Sequence, residues 1–207
     1  MITMSTPELT SHTGYAKGRA RREAIVAVAS QRFSQVGFRN ASMVEIAAIC
    51  GISRAGLLHH FPTKELLLEA VLEARDTDDH ARFRANGSQS EDPLAILRGM
   101  VDLARHNRTV PGLIELFVML SAEATTADHP AHDYFVKRNA RIRAGTARAL
   151  RRAAVAGHLK GGIDPDEFAL ELTALMDGLQ VQWLYDPTID MSSILAKRIE
   201  SALTTPL

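Results

Sequence analysis

The sequence predicts an all-α protein, a three-helix head with a helix-turn-helix followed by a larger helical domain, about nine helices in all. Three observations lead there. Apolar residues recur at helical spacing in almost every segment, with no convincing strand alternation and no internal repeat. Glycine, proline and short polar residues break that pattern at helix-sized intervals. Charge is also divided unevenly. The chain is neutral overall, yet residues 1–64 hold eight Lys/Arg against three Asp/Glu, while the remainder holds 16 bases against 21 acids. A basic first third on an acidic body is the footprint of a nucleic-acid-reading head on a different kind of body.

The elements follow in order. Residues 20–36 place Ala24, Val28, Phe33 and Val36 near one stripe, and Gly37 ends that helix as a left-handed cap. Ser42, with Glu45 three residues on, reads as a capping box opening a short helix over Met43–Cys50. Gly51 breaks it, and Ser53 caps a second short helix over Arg54–His60. Pro62 stops that one, and Thr63 starts a long helix to about Arg84. Asn86–Asp92 is a loop by composition. Pro93 suits the first turn of a helix to about Asn107, and Pro111 opens another to about Thr125. A long helix follows over about Ala131–Ala156, ended by Gly157 and the Gly161-Gly162 turn. Asp164 and Pro165 open a helix to Tyr185, and a last helix covers about Met191–Leu203.

Bulk properties set the class. Hydrophobic residues make up 46% of 207, enough for a proper core. No apolar run approaches the roughly 18–20 residues of a membrane span, and Met1–Ala16 lacks the apolar stretch of a signal peptide. A cytoplasmic protein without membrane contact is expected. The single cysteine, Cys50, excludes an intramolecular disulfide and a cysteine-rich metal site, and reads as a small buried hydrophobe.

Two short helices joined at Gly51-Ile52-Ser53 make a helix-turn-helix, the first crossing the DNA backbone and the second entering the major groove. Small Ala55 and Gly56 allow close approach to base edges, and Arg54 has the fork for guanine. Helix starts near Ser42 and Ser53 offer N–H groups to phosphates, while His59, His60 and Lys64 stand where phosphates would run. By spacing alone, two capped helices fit a plain helical bundle equally well. The arm His12–Arg22, with Arg19 and Arg21, reads either as a solvated tail or as a strap touching phosphate or minor groove.

The stretch Phe33-Ser-Gln-Val-Gly37-Phe38, then Ser42 through Ile46-Ala47 to Gly51-Ile52-Ser53, then Leu57 through His60-Phe61 to Lys64-Glu65-Leu66, resembles the head of the TetR family without gaps. The likeness covers about residues 20–70. It implies a head over 17–64, a ligand-binding and dimerisation domain over 65–207, and a homodimer on double-stranded operator DNA. It places Arg54 and Ala55 against bases, and Ser42, His59, His60 and Lys64 against phosphates. Met43, Ser53 and Gly56 complete the expected DNA-facing set. Gly56 and Leu58 depart from the family pattern, which usually has Thr or another polar residue and Tyr there.

In the body, residues 165–185 carry two apolar stripes. One is Phe168, Leu172, Leu175, Leu179 and Trp183; the other is Leu170, Ala174, Val181 and Leu184, interrupted by Asp177. A helix apolar on two sides must bury both. The expected dimer face is Leu170, Ala174, Val181, Leu184, Ile194, Leu195 and Leu203. The expected pocket is apolar with a few polar anchors: Met100, Leu103, Phe117, Leu120, Glu123, Tyr134, Arg138, Asn139, Met176, Gln180 and Trp183. Ordinary core packing is the competing reading of each. Asp177-Gly178-Leu179-Gln180 and the Trp183–Pro187 run resemble family members with choline-sulfate-regulator-like bodies. Arg141, Arg148 and Arg152 read as a solvated stripe pairing with acids. His129-Pro130-Ala131-His132-Asp133 reads as a loop and cap, the rival being a metal site with two histidines and no evident third ligand.

No nucleophile elbow, zinc-protease motif or phosphate loop is present. The expectation is a non-enzymatic regulator, a repressor released by a small apolar or amphipathic effector, with no cofactor.

Overall fold

The computed structural model describes the backbone of residues 11–85 and 92–207, and side chains at 16–77, 81 and 92–207. The loop expected at Asn86–Asp92 therefore lies, but for its last residue, outside the described residues, as do the side chains of His12–Tyr15. Nine helices are described: α1 Ser11–Asn40, α2 Met43–Ile49, α3 Arg54–His60, α4 Lys64–Ala85, α5 Ala95–Asn107, α6 Pro111–Glu123, α7 His132–Val155, α8 Pro165–Tyr185 and α9 Met191–Ala202. The chain divides into two units, Met1–Val71 and Leu72–Leu207. The division falls inside α4, a few residues beyond the boundary proposed at 64/65, so the head includes the first turns of that helix.

In the first unit, the buried stripe of α1 is Ile25, Ala29 and Phe33, each fully buried. Four-residue steps keep these three on one helix face. Ala24 is exposed, and Val28 and Val36 are half-buried, which moves the expected stripe by about one position. The helix also reaches back to Ser11, so the described part of the arm is helical. Gly37 takes φ 77°, ψ 160°. The φ is positive as expected, but the ψ is extended. It is a glycine conformation rather than a left-handed helical cap, and it redirects the chain so that Phe38 is buried, edge-on to Phe33 at 5.5 Å.

Ser42 caps α2 by accepting from the Val44 amide at 3.2 Å. The other half of the expected capping box is absent: the Glu45 carboxylate pairs with Arg32 of α1 at 2.9 Å. Ser53 accepts from the Gly56 amide at 3.0 Å and starts α3. Thr63 accepts from the Leu66 amide at 3.2 Å and starts α4.

The second unit is a bundle in which α8 is central, packed on α6, α7 and α9, with α5 against α7 and α9. Its core includes Leu97, Ile114, Leu150, Leu172, Leu195 and Ile199, all fully buried. Asp164 caps α8 through the amides of Asp166 and Glu167, and Asp190 caps α9 through that of Ser193. The chain after α7 and the end of α9 are stitched by a short antiparallel bridge, with the Lys160 amide donating to Ala202 and that of Thr204 to His158, both at 2.9 Å.

The bundle corrects the expected dimer face in two places. Leu195 is fully buried and Leu203 is 3% exposed. Both belong to the protomer's own core, because the inner side of α9 faces α5 and α8. Leu170 and Ile194 remain open at 53% and 41%, Ala174 is exposed, and Val181 and Leu184 are half-buried. No described helix is long and apolar enough to cross a membrane.

Candidate DNA interface and ligand cavity

The helix-turn-helix is α2, a turn through Gly51 at φ 65°, and α3. Leu57 is the fully buried anchor of α3, while Arg54, Ala55 and His59 are exposed and Gly56, Leu58 and His60 half-buried. An open arginine followed by two small residues at the start of a seven-residue helix suits entry to a groove about 12 Å wide. Met43 is half-buried at the start of α2. Exposed Ile49 and buried Ile46 give that helix an outward and an inward side.

Other expected DNA contacts are already occupied within the head. Lys64 donates from Nζ to the carbonyls of Arg39 and Ala41, at 3.0 and 3.2 Å, and lies 4.7 Å from the centre of the Phe38 ring. An ammonium has three donors, so this lysine ties down the chain leaving α1 and keeps little for a phosphate. Arg21 donates to the Cys50 carbonyl at 3.3 Å, and Arg22 to the His60 carbonyl at 3.1 Å with its guanidinium over Phe61. These two neighbours reach the C-terminal ends of α2 and α3, where backbone carbonyls lack helical partners and a cation is favoured. Sequence reasoning misses Arg22 as a positioning residue, because a contact between residues 22 and 60 leaves no local signal. Arg19 is exposed and pairs loosely with Glu23 at 3.6 Å. Cys50 is half-buried rather than buried as expected, and that burial raises its thiol pKa against a smaller opposing effect of Arg21.

The second unit encloses a cavity of about 480 Å³. Of the expected pocket residues it is lined by Met100, Leu103, Phe117, Arg138, Met176 and Gln180. Leu120, Glu123, Tyr134, Asn139 and Trp183 do not line it. Leu120 is buried and Trp183 sits in the core cluster. Asn139 is one residue past Arg138, about 100° around the helix. Tyr134 donates to the Leu72 carbonyl at 3.3 Å, and burial, then Asp76, raises its phenol pKa well above the usual range. Glu123 instead faces His129 at 3.6 Å.

Three helices each give the cavity one face. Ile96, Met100 and Leu103 come from α5, and Thr173, Met176, Asp177 and Gln180 from α8. From α7 come Arg138, Arg141, Ile142, Gly145, Thr146, Arg148, Ala149 and Arg152. The arginine stripe expected to be only a solvated face thus lines the cavity, since steps of three and four return to one side of a helix. Arg75 and Asp76 from α4 and Phe117 from α6 close the set. Asp76 accepts from Arg138 Nε at 3.0 Å and from Arg141. Burial pushes the Asp76 carboxyl up, but the two guanidiniums outweigh it and hold the pKa below the ordinary value. Asp177 goes the other way: crowding of its carboxyl raises the pKa more than Arg138 and Arg75 lower it. The residue keeps open surface all the same. Arg75 and Arg138 lie over the Phe117 ring at 3.7 and 4.4 Å.

The histidine motif forms a turn that runs into α7, whose first two residues are His132 and Asp133, and Ala131 at the helix start supplies no side-chain cap. His129 Nδ1 accepts from the Ala131 amide at 3.2 Å, and His132 Nδ1 stands 2.8 Å from the Ala124 carbonyl. Among the described residues no group of three metal-ligating side chains occurs.

Comparison with known proteins agrees with this architecture. Residues 25–71 match the model of bacterial regulatory proteins of the TetR family, and residues 93–204 match the C-terminal domain of BetI-type transcriptional repressors. The chain is 27% identical over 199 residues to the HTH-type transcriptional regulator TtgR of Pseudomonas putida, covering 88% of this chain and 89% of that one. A crystal structure of a transcriptional regulator from Saccharomonospora viridis in complex with choline superposes with TM-score 0.77 at 24% identity, covering 89% of this chain and 98% of that chain. The SmeT–triclosan complex superposes with TM-score 0.77 at 21% identity, covering 89% and 92%. With a helix-turn-helix head matched to one model and more than half of the chain to the other, this chain belongs to the TetR family: it is a DNA-binding transcriptional regulator and not an enzyme.

Proposed function

We propose that the protein is a repressor that binds a pseudo-palindromic operator as a homodimer and is released when a small molecule enters the cavity of its second unit. The observation that carries the DNA reading is the start of α3, where Arg54 and Ala55 stand exposed on a helix anchored from behind by Leu57. Each protomer supplies one such helix, and two copies read half-sites about one duplex turn, roughly 34 Å, apart. Arg54 and Ala55 meet base edges. Ser42, Met43, Ser53, Gly56, His59 and His60 follow the backbone and groove wall, and Arg19 extends the contact along the adjoining strand. The open residues Leu170, Ala174 and Ile194, with half-buried Val181 and Leu184, support a twofold interface built on α8 and α9.

Sensing follows from the cavity. Its lining draws on α4, the helix that leaves the head, so a ligand that prefers one arrangement of Arg75 and Asp76 biases that helix. Release requires tighter ligand binding to the state that does not fit the operator. Choline and triclosan in the two structural relatives support a small-molecule occupant in general.

Selection of duplex DNA by the purified protein, followed by sedimentation of the complex, tests the reading. A recovered inverted repeat bound by two protomers supports it. Selection without a repeat, or a single protomer on the duplex, rejects it.

A further inference from the structure

The cavity carries more than its shape. Its charged lining is five arginines, Arg75, Arg138, Arg141, Arg148 and Arg152, against two aspartates, Asp76 and Asp177. Asp76 is already engaged by Arg138 and Arg141. Among the described residues no ion pair engages Arg148. Arg152 stands one helical turn away on the same side, and both are exposed. Between these arginines and the Arg138 end, Met100, Ile142 and Met176 make the walls apolar. Gln180 is 4% exposed as a residue and lines the cavity, so its amide is presented to whatever occupies that space. A side-chain amide offers both donors and an acceptor to such an occupant.

Resting on the effector reading above, we propose that the occupant is an amphipathic organic anion, a monocarboxylate with an extended apolar body. Its carboxylate sits between Arg148 and Arg152, its body lies along Met100, Ile142 and Met176, and its far end meets the Gln180 amide. Residues 138 and 148 of one helix are separated by a rise of on the order of 15 Å, which sets the length of the body. Arginine forks match carboxylate geometry and give the stronger, charge-assisted kind of hydrogen bond. A quaternary ammonium would enter against an excess of positive charge in a partly dehydrated space, where repulsion is screened less than in water.

Calorimetric titration of the full chain without DNA, using three probes of matched shape, tests this: 6-phenylhexanoate, 6-phenylhexan-1-ol and trimethyl(6-phenylhexyl)ammonium. The carboxylate is expected to bind at least about tenfold tighter than the alcohol, the ammonium to bind weakest, and the preference to shrink as salt rises. Replacing Arg148 and Arg152 together by Gln (R148Q/R152Q) changes exposed side chains. With an unaltered melting temperature, it is expected to erase the preference and leave alcohol binding as it was. No binding of the carboxylate, equal or tighter binding of either other probe, or a preference that survives the double substitution overturns the proposal. A parallel titration of the protein–operator complex separates the two readings. Carboxylate that binds the free protein without releasing DNA leaves the ligand chemistry standing and removes the effector role.

Discussion

The guanidinium of Arg22 donates to the backbone carbonyl of His60 at 3.1 Å while lying over the ring of Phe61. One side chain of the first helix thereby fixes the end of α3, the second helix of the helix-turn-helix. Its neighbour Arg21 does the same for the helix before it, at the Cys50 carbonyl. Part of the basic charge in the head therefore holds the helix-turn-helix together, and only the exposed remainder, Arg54 among it, is left for a nucleic acid under the proposed function.

Arg22→Ala removes a hydrogen bond from a charged donor and a cation–ring contact. It is expected to destabilise the protein by about 1 kcal/mol and to weaken all DNA binding through a loosened α3. Urea unfolding together with anisotropy titration checks both, and unchanged stability would remove Arg22 from its positioning role.

Arg54 and Lys64 separate by kind of effect. Arg54→Ala is expected to leave stability alone and to cost on the order of 1–3 kcal/mol of discrimination at one base pair of each half-site. Lys64→Met loses the bonds to the Arg39 and Ala41 carbonyls, so it is expected to cost about 1 kcal/mol of stability. The slope of log affinity against log salt should stay the same wherever the variant is folded. A flattened slope would mean that Lys64 contacts a phosphate after all.

Gly56 occupies a helical position where an added Cβ would meet Ser53 Oγ at 3.4 Å and the Ile52 Cβ at 3.7 Å. These contacts are close but tolerable. Alanine is favoured over glycine inside helices by about 1 kcal/mol. Gly56→Ala is therefore expected to stabilise the head by up to about 1 kcal/mol, read as a rise in melting temperature. The same methyl tests whether this residue faces the groove, since operator affinity should fall if it does.

The two cavity aspartates respond to pH in opposite senses. The folded pKa of Asp76 is depressed, so its contribution to stability is complete above the unfolded aspartate value, about 3.9, and is lost as pH falls through the folded value. Asp76→Asn leaves buried Arg138 without its partner and is expected to cost about 2 kcal/mol at neutral pH. The folded pKa of Asp177 is raised, so ionising it opposes folding above that pKa and has no effect once both states are protonated. Asp177→Asn is expected to be more stable than the parent at neutral pH, with the advantage disappearing below about pH 3.9. Denaturant melts across pH check both signs, and parallel curves for the two variants would contradict the assignment.

Trp183 is the sole tryptophan, is 5% exposed and has an indole N–H without a hydrogen-bond partner among the described residues. Trp183→Phe loses ring area but also removes that unpaired donor. The two partly offset, and the expected cost is about 1 kcal/mol, less than ordinary truncation of a buried aromatic. Its emission in the parent should be blue-shifted and move red on unfolding.

What the chain declares by itself is local. Ser42, Ser53, Asp164 with Pro165, Gly51 and Gly157 act within a turn of their own position, so helix starts and stops are legible to within one or two residues for most elements. The run from Phe33 to Leu66 is specific enough to name the family. Exposure at Arg54 and Ala55 follows from the same local pattern. Tertiary structure alone decided the rest, because the deciding partners are far apart in sequence. Lys64 meets the carbonyls of Arg39 and Ala41, Arg22 that of His60, and Arg138 meets Asp76. Helical periodicity marks a stripe as apolar or charged but not which neighbour covers it. That is why Leu195 and Leu203 belong to the core rather than to an outer face, and why Arg141, Arg148 and Arg152 line a cavity.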